Sequence, residues 1–136
     1  MKNDEEYLVF EFWTKQYLGI FKTEFEFPHI DTLYHCQLFC FREKLDHPQV
    51  IATNRHISCG GYDLVDVRWT DSKISGISDL TAGDPYDIYL FEPEGYNLTE
   101  FTCDGAEIAG NHKDGQVRVI SLVKAESGQI TWEARY

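Results

Sequence analysis

The run FKTEFEF at residues 21–27 sets Phe21, Thr23, Phe25 and Phe27 against Lys22, Glu24 and Glu26. Successive side chains of a strand point to opposite faces, so a period of two describes one dry face and one wet face and predicts a half-buried strand. The pattern returns twice. Val65, Val67 and Trp69 alternate with Asp66 and Arg68, and Ile130, Trp132, Ala134 and Tyr136 alternate with Thr131, Glu133 and Arg135. Weaker runs at 7–13, 33–41, 73–78, 86–92, 98–103 and 117–123 are rich in Val, Ile, Phe, Tyr and Thr, side chains that suit a pleated surface. Between the later runs stand Thr70-Asp71-Ser72, Ala82-Gly83-Asp84-Pro85, Pro93-Glu94-Gly95, Asp104-Gly105, Asp114-Gly115 and Ser127-Gly128, which read as turns. The stretch 7–20 would serve a buried helix, but its aromatic and β-branched content and Gly19 favour two strands. The expectation is an all-β chain: one domain over 1–136, two antiparallel sheets in a Greek-key-like sandwich. Its inward faces would carry Phe21, Phe25, Phe27, Val65, Val67, Trp69, Ile130 and Trp132.

Twelve Lys and Arg oppose 23 Asp and Glu among the 136 residues, for a net charge of −11. That balance opposes nucleic acid and anionic membrane surfaces, which would meet like charge. No apolar run approaches the ~20 residues of a membrane span, and MKNDEE is acidic where a signal peptide is basic. If Met1 is the natural start, the expected location is the cytoplasm and the four cysteines are thiols. Cys36 and Cys40, an even number of residues apart in an apolar stretch, are expected to share a strand face as small buried hydrophobes.

Catalytic motifs are absent. There is no nucleophile elbow and no Gly-rich phosphate loop, and the histidines at 29, 35, 47, 56 and 112 fall in no metal-ligand spacing. No metal and no cofactor is expected. The 23 carboxylates single out no acid/base pair and read as solvated charge. The longest irregular segment, 43–61, gathers Asp46, His47, Gln49, Arg55 and His56, groups able to make directional hydrogen bonds, with Tyr62 or Trp69 nearby as an aromatic platform. Such a set suits a sugar. The same groups also suit satisfaction of loop backbone or of a neighbouring domain's rim.

Several pieces carry a resemblance: the FW at 12–13, DHPQ at 46–49 followed by TNRHI at 53–57, the DL at 63–64 and Trp69 leading into SGIS at 75–78, and DPY at 84–86 entering a strand that ends in PEGY at 93–96. From about Tyr7 to Tyr136 the chain resembles the C-terminal β-sandwich domain of bacterial α-galactosidase-like glycoside hydrolases. The resemblance implies an accessory, non-catalytic module beside a (β/α)8 catalytic barrel, and possible carbohydrate as ligand. It carries no catalytic residue onto this sequence. It gives Asp46, His47, Pro48, Arg55 and His56 a role in shaping the loop, and Trp69, Asp84, Pro85 and Tyr86 a role in anchoring strands. Two other classes compete: a protein-interaction module using a sheet edge or acidic face, and a small stand-alone hydrolase acting through surface carboxylates.

Overall fold

The computed structural model describes residues 5–26 and 36–136, and holds no helix among them. All strand pairs are antiparallel. The chain divides into two compact units, residues 1–46 and 47–136.

In the first unit, β1 (Tyr7–Glu11), β2 (Gln16–Phe21) and β3 (Phe39–Glu43) form a sheet in the order β2-β1-β3. The ambiguous stretch is therefore a hairpin, with Lys15 at φ 58° in its turn. Glu11 is 2% exposed and closes that turn: one carboxylate oxygen accepts from the Thr14 N–H (2.6 Å) and hydroxyl (2.7 Å), the other from the Leu38 N–H (3.1 Å). Burial works against its charge, yet these donors hold its carboxyl below the ordinary range. The expected strand at 21–27 is not found. Phe21 ends β2, residues 22–26 form no strand, and Phe27 lies outside the described residues. Phe25 instead meets Phe21, Phe39 and Phe41 edge-on at 4.8–5.5 Å between ring centres. Edge-to-face aromatic packing satisfies these rings without a pleated ladder, so alternation alone misread them.

The second unit is a sandwich of two four-stranded sheets. One has the order β4-β7-β10-β9, from β4 (Gln49–Thr53), β7 (Tyr86–Phe91), β9 (Glu107–Asp114) and β10 (Val117–Val123). The other has the order β5-β6-β11-β8, from β5 (Leu64–Thr70), β6 (Lys73–Leu80), β8 (Glu100–Asp104) and β11 (Gly128–Arg135). The chain crosses between sheets after β4, β6, β7, β8 and β10, the non-sequential connectivity expected of a Greek-key-like sandwich. Alternation dictates the core: Ile74, Leu80, Ile130, Trp132 and Ala134 from one sheet meet Tyr86, Ile88, Leu90, Ile120 and Leu122 from the other. Trp132 lies across Gly76, where an added Cβ would fall 2.1 Å from the indole, so only glycine fits. β4 sits inside the expected long loop, because Val50, Ile51 and Ala52 supply a short apolar run that pairs with β7.

A buried polar chain ties the two sheets together. Thr53 and Tyr86 both donate to Asp63 Oδ2 at 2.7 Å, Tyr86 Oη lies 3.1 Å from Ser78 Oγ, and Trp132 Nε1 donates to Ser78 Oγ at 2.9 Å. Burial, and then the neighbouring Asp63, push the Tyr86 hydroxyl far above the usual tyrosine pKa.

Three inward expectations need correction. A bulge between Leu64 and Asp66 leaves Val65 51% exposed, and Val67, on an edge strand opposite Gly76, is 39% exposed. Trp69 is half-buried, packed on the margin of the core. The cysteines also depart from expectation: Cys59 is buried, but Cys36 is exposed ahead of β3, and Cys40 and Cys103 are half-buried. No disulfide links them.

Candidate functional site: the outer face of the β5-β6-β11-β8 sheet

The residues singled out in the sequence do not converge on one site. Asp46 is exposed at the end of the first unit, and the other five belong to the second. His47 lies flat on Trp69, rings 4.7 Å apart and 2° from parallel, while Tyr96 meets Trp69 edge-on at 5.9 Å. One face of the expected platform is thus already covered by the chain's own imidazole. Gln49 is half-buried in β4 opposite Phe91. Arg55 donates to Asp84 Oδ2 and Thr81 Oγ1, and its neighbour Asn54 donates to Asp87 Oδ2 (3.0 Å) and accepts from the Asp87 N–H (2.9 Å). His56 Nδ1 accepts from the Ser58 N–H at 3.2 Å and lies 3.0 Å from its hydroxyl. Each polar group of the segment 54–58 that looked available holds the loop to β7, to the 81–85 turn or to itself. Tyr62, 78% exposed, is the exception, with its ring 5.4 Å from that of His56.

The groups left facing solvent in an ordered array lie elsewhere. On β5, β6, β11 and β8 the positions alternate with the core residues, and the strand registers stack them in three rows across the sheet. Asp66, Ile77, Thr131 and Asp104 form one row; Arg68, Ser75, Glu133 and Thr102 the next; Thr70, Lys73, Arg135 and Glu100 the third. All of these but Glu100, with Asp71 of the β5-β6 turn, line an open groove of about 860 Å³ spanning all four strands.

The face carries a modest acidic excess. Five carboxylates (Asp66, Asp71, Glu100, Asp104, Glu133) meet three cations (Arg68, Lys73, Arg135) in a chain whose net charge is −11. Lys73 Nζ and Arg135 Nε grip the two oxygens of Glu133 at 2.6 and 2.7 Å, Arg135 also reaches Glu100 at 3.5 Å, and Arg68 pairs with Asp66 at 2.8 Å. The hydrogen bond from Lys73, then that from Arg135, hold the Glu133 carboxyl below the usual range, and Glu133 in turn raises Arg135. Such exposed pairs add little to the stability of the fold, but they fix where each charged head sits. Around them stand the hydroxyls of Thr70, Ser75, Thr102 and Thr131.

The sequence held the signal for this face. Asp66, Arg68, Thr131, Glu133 and Arg135 are the wet half of the alternations that identified β5 and β11, but the register that brings those strands to either side of β6 is non-local. Among the described residues no group of three His, Cys, Asp or Glu is placed to hold a metal ion, and no helix is long and apolar enough to cross a membrane. The chain matches no protein-family model, no curated protein and no solved structure.

Proposed function

We propose that the chain is a non-catalytic β-sandwich binding module, accessory to a catalytic domain, and that its ligand is an uncharged polyhydroxylated chain, a glycan, lying across the outer face of the β5-β6-β11-β8 sheet. The observation that carries the reading is the groove itself: a shallow, four-strand-wide floor of hydroxyls and pre-paired charges, with Ile77 its one branched apolar side chain. Sugar hydroxyls are both donors and acceptors, and a carboxylate held between two cations keeps lone pairs for them without demanding a counter-charge. The acidic excess of the face disfavours phosphate or polyanion chemistry, which needs an excess of cations. The resemblance to an accessory domain of glycoside hydrolases is the reason to name a glycan among polyhydroxylated ligands. A hydrolytic role fits the face poorly. A general acid at neutral pH needs a raised pKa, and the best-held carboxylate, Glu133, is lowered instead.

Affinity electrophoresis of the chain through gels containing soluble neutral polysaccharides, with an acidic one as control, tests the reading. Retardation by a neutral polysaccharide is expected, abolished in Glu133→Gln and Arg135→Ala variants whose melting is unchanged. Migration unaffected by every polymer, or retardation that both variants retain, overturns it.

A further inference from the structure

We infer that β5 is a dimerisation edge, and that a second copy of this chain docks on it antiparallel about a two-fold axis through Val67. β5 pairs with β6 on one side only, and among the described residues no strand lies against its other side. The hairpin tells which backbone groups that open edge presents. Asp71 and Ser72, both at positive φ (51° and 61°), form a two-residue turn that places Thr70 and Lys73 in its closing hydrogen-bonded pair. Hydrogen-bonded and non-hydrogen-bonded pairs alternate along an antiparallel ladder, so Arg68 also bonds to β6 while Val67 and Trp69 point their N–H and C=O outward. An edge that offers such groups is a template for another strand.

Three other strands end a sheet in the second unit, of which β4 is buried at Ile51, Ala52 and Thr53. β8 carries Glu100 and Asp104, and β9 carries Glu107, His112, Lys113 and Asp114 along an exposed strand. β5 instead exposes Val65 (51%) and Val67 (39%).

What selects a second copy is the register. Outward-pointing residues must pair with outward-pointing residues, which allows a two-fold through Val65, Val67 or Trp69 as a hydrogen-bonded self-pair or through Asp66 or Arg68 as a non-hydrogen-bonded one. Only the axis through Val67 overlaps all seven residues of β5. In that register Asp66 faces Arg68 of the partner subunit and Arg68 faces the partner's Asp66, in non-hydrogen-bonded pairs, where side chains approach most closely. Centring on Val65 or Trp69 would set Asp66 against Leu64 or Arg68 against Thr70 instead, and centring on Asp66 or Arg68 would set that charge against its own copy. β5 is thus complementary in charge to an inverted copy of itself. The product is one eight-stranded sheet whose two outer faces adjoin. This inference does not depend on a glycan ligand.

Sedimentation equilibrium of the full chain over a wide concentration range, without sugar, is the test. The expected result is reversible association between one mass of 15.8 kDa and twice that value. Asp66→Arg sets like charges opposite each other in both cross-subunit pairs and should weaken the dimer at least tenfold, and adding Arg68→Asp in the same chain should restore it. Val67→Pro removes an outward N–H without costing a bond to β6, so it should leave a folded monomer, checked by its melt. Monomer at every concentration, or a dimer indifferent to Val67→Pro and to the single charge reversal, overturns the proposal.

Discussion

The inner and outer faces of the β5-β6-β11-β8 sheet spend the same kinds of side chain in opposite ways. Inside, Ser78, Trp132 and Tyr86 share one hydrogen-bonded chain ending on Asp63, which is 1% exposed. Outside, on the opposite face of the same strands, Ser75 and Glu133 lie opposite each other with Lys73 and Arg135 beside them. A hydroxyl or carboxylate in the first setting has no water to fall back on, so its partners determine stability. In the second setting water replaces any lost partner, and what the pairing fixes is position. The two faces should therefore respond differently to equal chemical changes.

The largest effect is expected from Trp132→Ala, which empties the centre of the core and forfeits the bond to Ser78. A loss of ~3–5 kcal/mol, read as a lowered urea midpoint, is the expected outcome. Gly76→Ala attacks the same place from the other side. Its new methyl would meet an indole that stacks on Phe101 at 6.1 Å and is tethered through Nε1, so it has little room to yield, and ~1–3 kcal/mol should be lost. Tyr86→Phe removes one hydroxyl and leaves Asp63 Oδ2 with Thr53 as its remaining described donor; ~1–3 kcal/mol is expected. A wild-type midpoint in Tyr86→Phe would show that the buried chain is not what ties the sheets together.

This contrast also explains what was legible in the sequence. Strict alternation identified β11 because one face is buried and the next residue is not, it identified β5 although its apolar side chains are only partly covered, and the Asp71-Ser72 turn was readable because two residues must reverse the chain. β9 went unread. Its sequence EIAGNHKD is almost wholly exposed, so no dry face imposed a period, although Asp104-Gly105 and Asp114-Gly115 marked its two ends. The loop residues singled out in the sequence and the proposed binding face differ for a related reason. A cluster of polar residues close in sequence, such as Asn54, Arg55 and His56, is what a loop needs to hold its own backbone, whereas a site built across strands is distributed over residues 66–135 and needs the register to be seen.

Carboxylates in the two units sharpen the comparison through pH. Glu11 is buried and its folded pKa lies below the ordinary glutamate value of 4.5, so the unfolded chain takes up its proton first. Its contribution is fully present above that value and is lost as pH falls through the lower folded pKa. The first unit should therefore loosen in acid below about pH 4.5, and Glu11→Gln, which keeps the shape but cannot remain an anion, should flatten that part of the profile. Proteolysis of the first-unit hairpin as a function of pH is a suitable measurement.

Glu133 has the same direction of shift with a different consequence. Its carboxyl is also held below 4.5, first by Lys73 and then by Arg135, but it stands at the solvent face, where screening erodes the stability such pairs give. Glu133→Gln should move the melting midpoint hardly at all. In glycan binding it should be conspicuous: retention of a neutral polysaccharide by the wild type should persist down to about pH 4.5 and fade as Glu133 protonates below it, while the variant shows weak retention throughout. A variant that melts several degrees lower would place Glu133 with the inner face, as a structural residue, and would remove the distinction on which the binding face rests.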